Sequence, residues 1–106
     1  MLGAERSGEI MSPEKVSVPF NLDHRWALNP QVNLRRERFG ALAYNFGNRR
    51  LTLLSDAVLA AVVAGIEDHP DARHALTAAG VPPSRFSAYI DALERLAQAE
   101  VIHEID

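Results

Sequence analysis

Residues 24–65 read HRWALNPQVNLRRERFGALAYNFGNRRLTLLSDAVLAAVVAG, and a change of period inside this stretch decides the fold. Val32 and Leu34 alternate with Asn33 and Arg35, the two-residue period of a half-buried strand. Gly40 breaks that run, and Ala41–Phe46 follows as a second strand carrying Tyr44 and Phe46. Gly47–Asn48 reads as a tight turn, since glycine enters positive φ without a Cβ clash. Arg50–Leu54 is then a third strand. Connections this short join strands into an antiparallel meander. Upstream, Arg25–Leu28 reads as a further short strand closed by the Asn29–Pro30 turn.

Past Leu54 the period becomes helical. Ser55 is the expected N-cap, with Asp56 complementing the positive helix end. Leu59, Val62, Val63 and Ile66 recur at the spacing of one helix face, and His69–Pro70 ends the segment. Asp71 caps a second helix with Ala72, Ala75, Leu76 and Ala79 inward and Gly80 as its terminator. Pro82–Pro83 forces an extended connection. Ser84 is expected to cap the third and longest helix, striped by Phe86, Tyr89, Ile90, Leu93, Leu96 and Ala97. Val101, Ile102 and Ile105 then return to pack on the sheet. The expected architecture is α+β, a three-stranded antiparallel sheet followed by three helices that cover one of its faces. Residues 1–20, broken by Gly3, Ser7, Gly8, Ser12 and Pro13, read as a flexible tail before a single domain over 21–106.

The bulk composition narrows the chemistry. The chain has 106 residues, enough for one domain with its own core, and no cysteine, which rules out disulfides, thiolate metal sites and Cys nucleophiles. No apolar run approaches the roughly 20 residues of a membrane span, and no secretory signal opens the chain, so a cytoplasmic protein is expected. His24, His69, His74 and His103 lack the spacing of a helical metal pair with a third ligand nearby, so structural or surface roles are expected and no metal or cofactor. Ser55, Asp56 and His69 do not make a triad, the glycines form no phosphate-cradling loop, and the protein is expected not to be an enzyme. The net charge of −3 hides a division: residues 24–54 carry six Arg against one Glu, whereas residues 55–106 carry three Arg against nine acids. Such asymmetry speaks of partners rather than of fold.

Three segments carry a resemblance: LNPQV (28–32), FGALAYNFGNRRL (39–51) and DHPDARHALTAAGV (68–81). In this order and spacing they resemble the mycofactocin-biosynthesis peptide chaperones, over roughly residues 20–106. That family lies within the RiPP recognition elements, which also include the pyrroloquinoline-quinone (PqqD-like) peptide chaperones. The resemblance implies a winged-helix domain that performs no chemistry itself. Such a domain binds the leader of a ribosomally made precursor peptide and presents it to a radical S-adenosylmethionine (radical SAM) maturase. It also implies that the leader adds as a strand to the third strand of the meander, with the third helix as the other wall. Carried onto this sequence, the strand is Arg50, Leu51, Thr52, Leu53 and Leu54, and the wall is Phe86, Tyr89, Ile90 and Leu93.

Strand period sets Leu51 and Leu53 on one face and Arg50, Thr52 and Leu54 on the other. For Leu53 and Leu93 core packing outweighs ligand contact; for Phe86 and Tyr89 the two roles balance. The resemblance implies an acidic leader, which Arg35, Arg36, Arg38, Arg49 and Arg50 are expected to steer as an electrostatic rim, against the plainer reading of a solvated, charge-protected sheet; strand period puts Arg35 on the opposite face from Arg36 and Arg38, so they do not all act together. A winged helix also reads DNA, but residues 84–100 hold two Arg against three acids, a poor phosphate surface. No nucleic acid or membrane partner is therefore expected. An adaptor that binds only the enzyme is the remaining alternative. An exposed edge strand fits a monomer or a weak homodimer.

Overall fold

A computed structural model describes residues 20–105. The tail expected over 1–20 thus lies, apart from Phe20, outside the described residues. The chain runs β1 (Arg25–Leu28), β2 (Val32–Glu37), β3 (Gly40–Asn45), β4 (Arg50–Leu54), α1 (Ala57–Gly65), α2 (Ala72–Ala78), α3 (Phe86–Gln98) and β5 (Ile102–Ile105). The α+β class with antiparallel sheets and three helices is as expected.

The number of sheets is not. β2, β3 and β4 form the meander in that order, but β1 and β5 make a separate two-stranded sheet. Arg25 pairs with Ile105 and Leu28 with Ile102, so the C-terminal strand returns to β1 rather than onto the meander. The cause lies at Asn29. Its backbone N–H donates to the Val101 carbonyl (2.9 Å), and its side-chain amide donates to the Glu100 carbonyl (2.9 Å). Trp26 and Ala27 from one strand and Ile102 from the other, beside Val101, then go into the core. Phe20 stacks on Trp26 at 4.6 Å between ring centroids, which carries the ordered contacts to the first described residue.

The β3–β4 turn is organised by a side chain. Asn45, 2% exposed, accepts from the amides of Gly47 (2.7 Å) and Asn48 (3.1 Å) and donates to the Glu100 carbonyl (3.0 Å). The positive φ expected at Gly47 falls instead on Arg49 (61°). Gly40 is the position that requires glycine. Its φ is +148°, and a Cβ there would sit 1.8 Å from the Leu54 carbonyl oxygen.

Two helix starts also differ from expectation. Asp56, not Ser55, caps α1, its Oδ1 accepting from the amides of Val58 (2.8 Å) and Leu59 (3.1 Å). A carboxylate is the stronger acceptor at a positive helix end. Asp71 caps α2 as expected, accepting from the His74 amide at 2.8 Å. Ser84 lies inside a 3₁₀ turn over Pro83–Arg85, and α3 begins at Phe86 with no side-chain cap. Pro83 opens that turn, where a missing N–H leaves nothing unsatisfied.

The core lies between the helices and one face of the meander. The register aligns Ala41 with Leu54 and Ala43 with Thr52. Ala41, Ala43, Leu54 and Val32 are buried, and the two alanines let the helices sit close to the sheet. Leu59, Val62, Val63, Ile66, Leu76, Leu93 and Leu96 meet them from the helical side. The opposite face carries Leu42, Tyr44, Leu51 and Leu53. Leu53 is 59% exposed, which overturns its expected core role: once Leu54 pairs inward with Ala41, its neighbour must point out.

Candidate functional site

β4 is the last strand of the meander, and among the described residues nothing pairs with its far side. One hydrogen bond settles which of its amides face outward. The Phe46 N–H donates to the Gln31 carbonyl at 2.8 Å, on the β2 side. Backbone direction alternates along a strand, so Tyr44 and Leu42 also face β2, while Asn45, Ala43 and Ala41 face β4. Their partners Arg50, Thr52 and Leu54 therefore spend their amides in the ladder. Leu51 and Leu53 direct N–H and C=O to the open edge, both on exposed positions.

A cleft of about 460 Å³ runs beside this edge. Thr52, Leu53, Leu54, Ser55 and Asp56 form one wall, and Leu59 lies at the floor. The other wall is Arg85, Ala88, Tyr89, Ala92, Arg95, Leu96 and Ala99. Those numbers recur at three and four, so they are one continuous face of α3 and the turn before it. Alanine at 88, 92 and 99 keeps that face low.

Tyr89 ties the two walls. Its hydroxyl donates to Asp56 Oδ2 at 3.1 Å, while the other carboxylate oxygen caps α1. Burial first, and the Asp56 carboxylate second, push the Tyr89 pKa above 10.0, so the ring stays a neutral donor.

The expected site residues separate into several places. Thr52, Leu53, Leu54 and Tyr89 line the cleft; Leu51 lies on the outer sheet face and Arg50 at the start of β4. Leu93 is fully buried and Phe86 nearly so, and neither lines the cleft. Ile90 opens onto a different depression, with Phe20, Leu22, Arg73 and Glu104. The expected rim is scattered. Arg35 pairs with Glu37 at 2.6 Å on the outer face, Arg36 is exposed on β2, and Arg38 and Arg49 lie in turns. None of them lines the cleft, and its two cations are Arg85 and Arg95.

The missed residues had a signal. Ala88, Ala92 and Ala99 form a stripe of small residues one step around the helix from the apolar stripe, the first two bracketed by Arg85 and Arg95. An apolar stripe marks the core; the stripe beside it marks what the core leaves open. Among the described residues no group of three His, Cys, Asp or Glu could hold a metal, and no helix is long and apolar enough to cross a membrane.

The fold and the cleft define a small α+β domain with an open strand edge facing a helix. The chain belongs to the peptide chaperone MftB family, whose model matches residues 25–103. It is 45% identical over 83 residues to peptide chaperone MftB of Mycobacterium ulcerans, covering 78% of this chain and 76% of that protein. It is 44% identical over 85 residues to peptide chaperone MftB of Mycolicibacterium smegmatis, covering 80% and 83%. The protein of the same name from Mycobacterium tuberculosis is 42% identical over 86 residues, covering 81% and 79%. No solved structure matches the chain.

Proposed function

We propose that this protein is a non-catalytic, cytoplasmic chaperone that captures the leader of the mycofactocin precursor peptide and presents it to a radical SAM maturase. The meander followed by three helices serves as a winged-helix recognition element of the PqqD-like kind. The observation that carries the reading is the open edge of β4 across the cleft from α3. An extended peptide can pair with the free N–H and C=O groups of Leu51 and Leu53, which supplies affinity independent of sequence. Its alternate side chains then meet the Ala88–Ala92 stretch, where selectivity arises. Neighbouring strands lie about 4.8 Å apart, so the new strand fits between β4 and a helix wall kept low by alanine.

Calorimetric titration of the protein with precursor peptide alone tests the proposal. Saturable binding at one peptide per chain, with amide-exchange protection gained at Leu51 and Leu53, is the expected result. Absence of binding without the enzyme means that the chain acts as an adaptor. Salt-sensitive binding to random duplex DNA, with none to the peptide, replaces the proposal with a DNA-binding function.

A further inference from the structure

We infer that the cleft selects peptides carrying two carboxylates four residues apart, held by Arg85 and Arg95, with an apolar side chain midway between them. The inference rests on strand addition at β4. Both arginines line the cleft, both are exposed, and neither pairs with an acid of another described residue. The acids of α3, Asp91 and Glu94, lie off this wall. Asp56 is the one carboxylate in it, and its oxygens are taken by two α1 amides and the Tyr89 hydroxyl. The wall therefore offers two free guanidinium groups in a chain whose net charge is −3.

Geometry sets the spacing. Arg85 and Arg95 are ten positions apart, which at the helical rise is about 15 Å. A strand lying alongside advances about 3.3 Å per residue, so four residues cover about 13 Å, and long Arg side chains absorb the difference. Spacings of two or six residues give about 7 or 20 Å and miss one arginine. Odd spacings put one carboxylate on the strand face turned away from α3. The residue midway faces Ala88, Ala92 and Leu59, a low apolar stretch that takes a medium-sized apolar side chain. Planar guanidinium groups bind carboxylates through two parallel hydrogen bonds. The recognised pattern is thus carboxylate, any, apolar, any, carboxylate.

The test uses the full chain and the mycofactocin precursor peptide, with each Asp and Glu of the peptide replaced singly by Asn or Gln. Arg85→Gln and Arg95→Gln are each expected to weaken binding about threefold to tenfold, and Arg73→Gln, whose guanidinium pairs with Asp23 away from the cleft, to leave it unchanged. Double-mutant cycles should couple each arginine to one carboxylate, and the two carboxylates should be four residues apart. Arg85→Lys and Arg95→Lys should recover part of the loss, because charge persists without the fork. Undiminished affinity in the Arg85→Gln, Arg95→Gln double variant overturns the inference and leaves strand addition standing, as does coupling at any other spacing. Failure of the unaltered chain to bind the precursor overturns strand addition, and this inference with it.

Discussion

Proline at Leu53 and proline at Thr52 differ by one position and should have opposite consequences. The Leu53 N–H points to the open edge, so replacing it removes no hydrogen bond from the fold. Its side chain is 59% exposed, and edge strands tolerate proline, so Leu53→Pro should cost less than about 1 kcal/mol of stability. A peptide paired with β4 loses one backbone hydrogen bond, about 0.5–1.5 kcal/mol, or about twofold to twelvefold in Kd. Leu53→Ala keeps the N–H and removes the same side chain, so the ratio of the two variants isolates the backbone contribution. Thr52 faces inward: by the register its N–H is directed at the carbonyl of Ala43, which is 1% exposed. Thr52→Pro strands that carbonyl and should cost about 1–3 kcal/mol of stability, more if the ring displaces the strand. Urea denaturation measures the stabilities and calorimetry with the precursor peptide measures the affinities. A folded Leu53→Pro variant that binds as tightly as Leu53→Ala refutes edge pairing at this residue. A Thr52→Pro variant as stable as the unaltered chain refutes the assignment of inward and outward amides.

Other perturbations follow from the same structure. Leu54→Ala should cost about 2–4 kcal/mol in urea denaturation, since Leu54 is 1% exposed, while Leu53→Ala should cost less than about 1 kcal/mol. Gly40→Ala should destabilise by more than about 3 kcal/mol, because the new Cβ meets the Leu54 carbonyl at 1.8 Å and the backbone sits at positive φ; a melting temperature within a few degrees of the unaltered chain would contradict this. Asp71 accepts from the His74 side chain and then from its amide, which hold the carboxyl below its usual value of 3.8. A depressed folded-state pKa stabilises above the unfolded value and is lost as pH falls through the folded one. The melting-temperature gap between the unaltered chain and Asp71→Asn should therefore be constant at neutral pH and close progressively below about pH 4.

Much of this fold was legible because local rules and packing agree. The alternation at Val32–Arg35 and the helical stripe of Leu59, Val62, Val63 and Ile66 express one interaction repeated along the chain, and the Asp71 cap is a contact between near neighbours. The β1–β5 sheet was not legible. It joins residues 74 to 80 positions apart in sequence, and its anchor, Asn29 bonded to Glu100 and Val101, has no local signature. Leu53 was misplaced for a related reason. Period shows that Leu53 and Leu54 oppose each other, but only pairing with Ala41 tells which one faces the helices. The third helix and Tyr89 were legible as a cleft wall, but Arg85, Ala88, Ala92, Arg95 and Ala99 were not, because apolar periodicity marks where a helix packs and these residues lie beside that stripe.

The charge division takes on a different meaning once the residues are placed. Five strand and turn arginines suggest an acidic-peptide surface, and, as strand period implies, they spread over both sheet faces and two turns. Charges so dispersed raise the potential around the sheet half and can hasten encounter, but exposed pairs formed singly contribute only about 0–1 kcal/mol each. Arg85 and Arg95 belong to the acidic half, where a summed charge hides them, and they stand along one wall with an open strand edge opposite. A DNA-reading helix must turn its cations outward to enter a groove of about 12 Å. α3 sets these two along a cleft whose other wall is β4, with Ala88, Ala92 and Ala99 between and beside them. If the leader adds to β4 as proposed, steering and recognition are separable in this domain: the sheet arginines would act at a distance and fade with salt, whereas the helix arginines would act in contact. High salt should slow peptide association more than it hastens release, and loss of Arg85 and Arg95 should do the reverse. Stopped-flow rates at two salt concentrations separate the two, and a salt effect confined to dissociation would remove the strand arginines from the account.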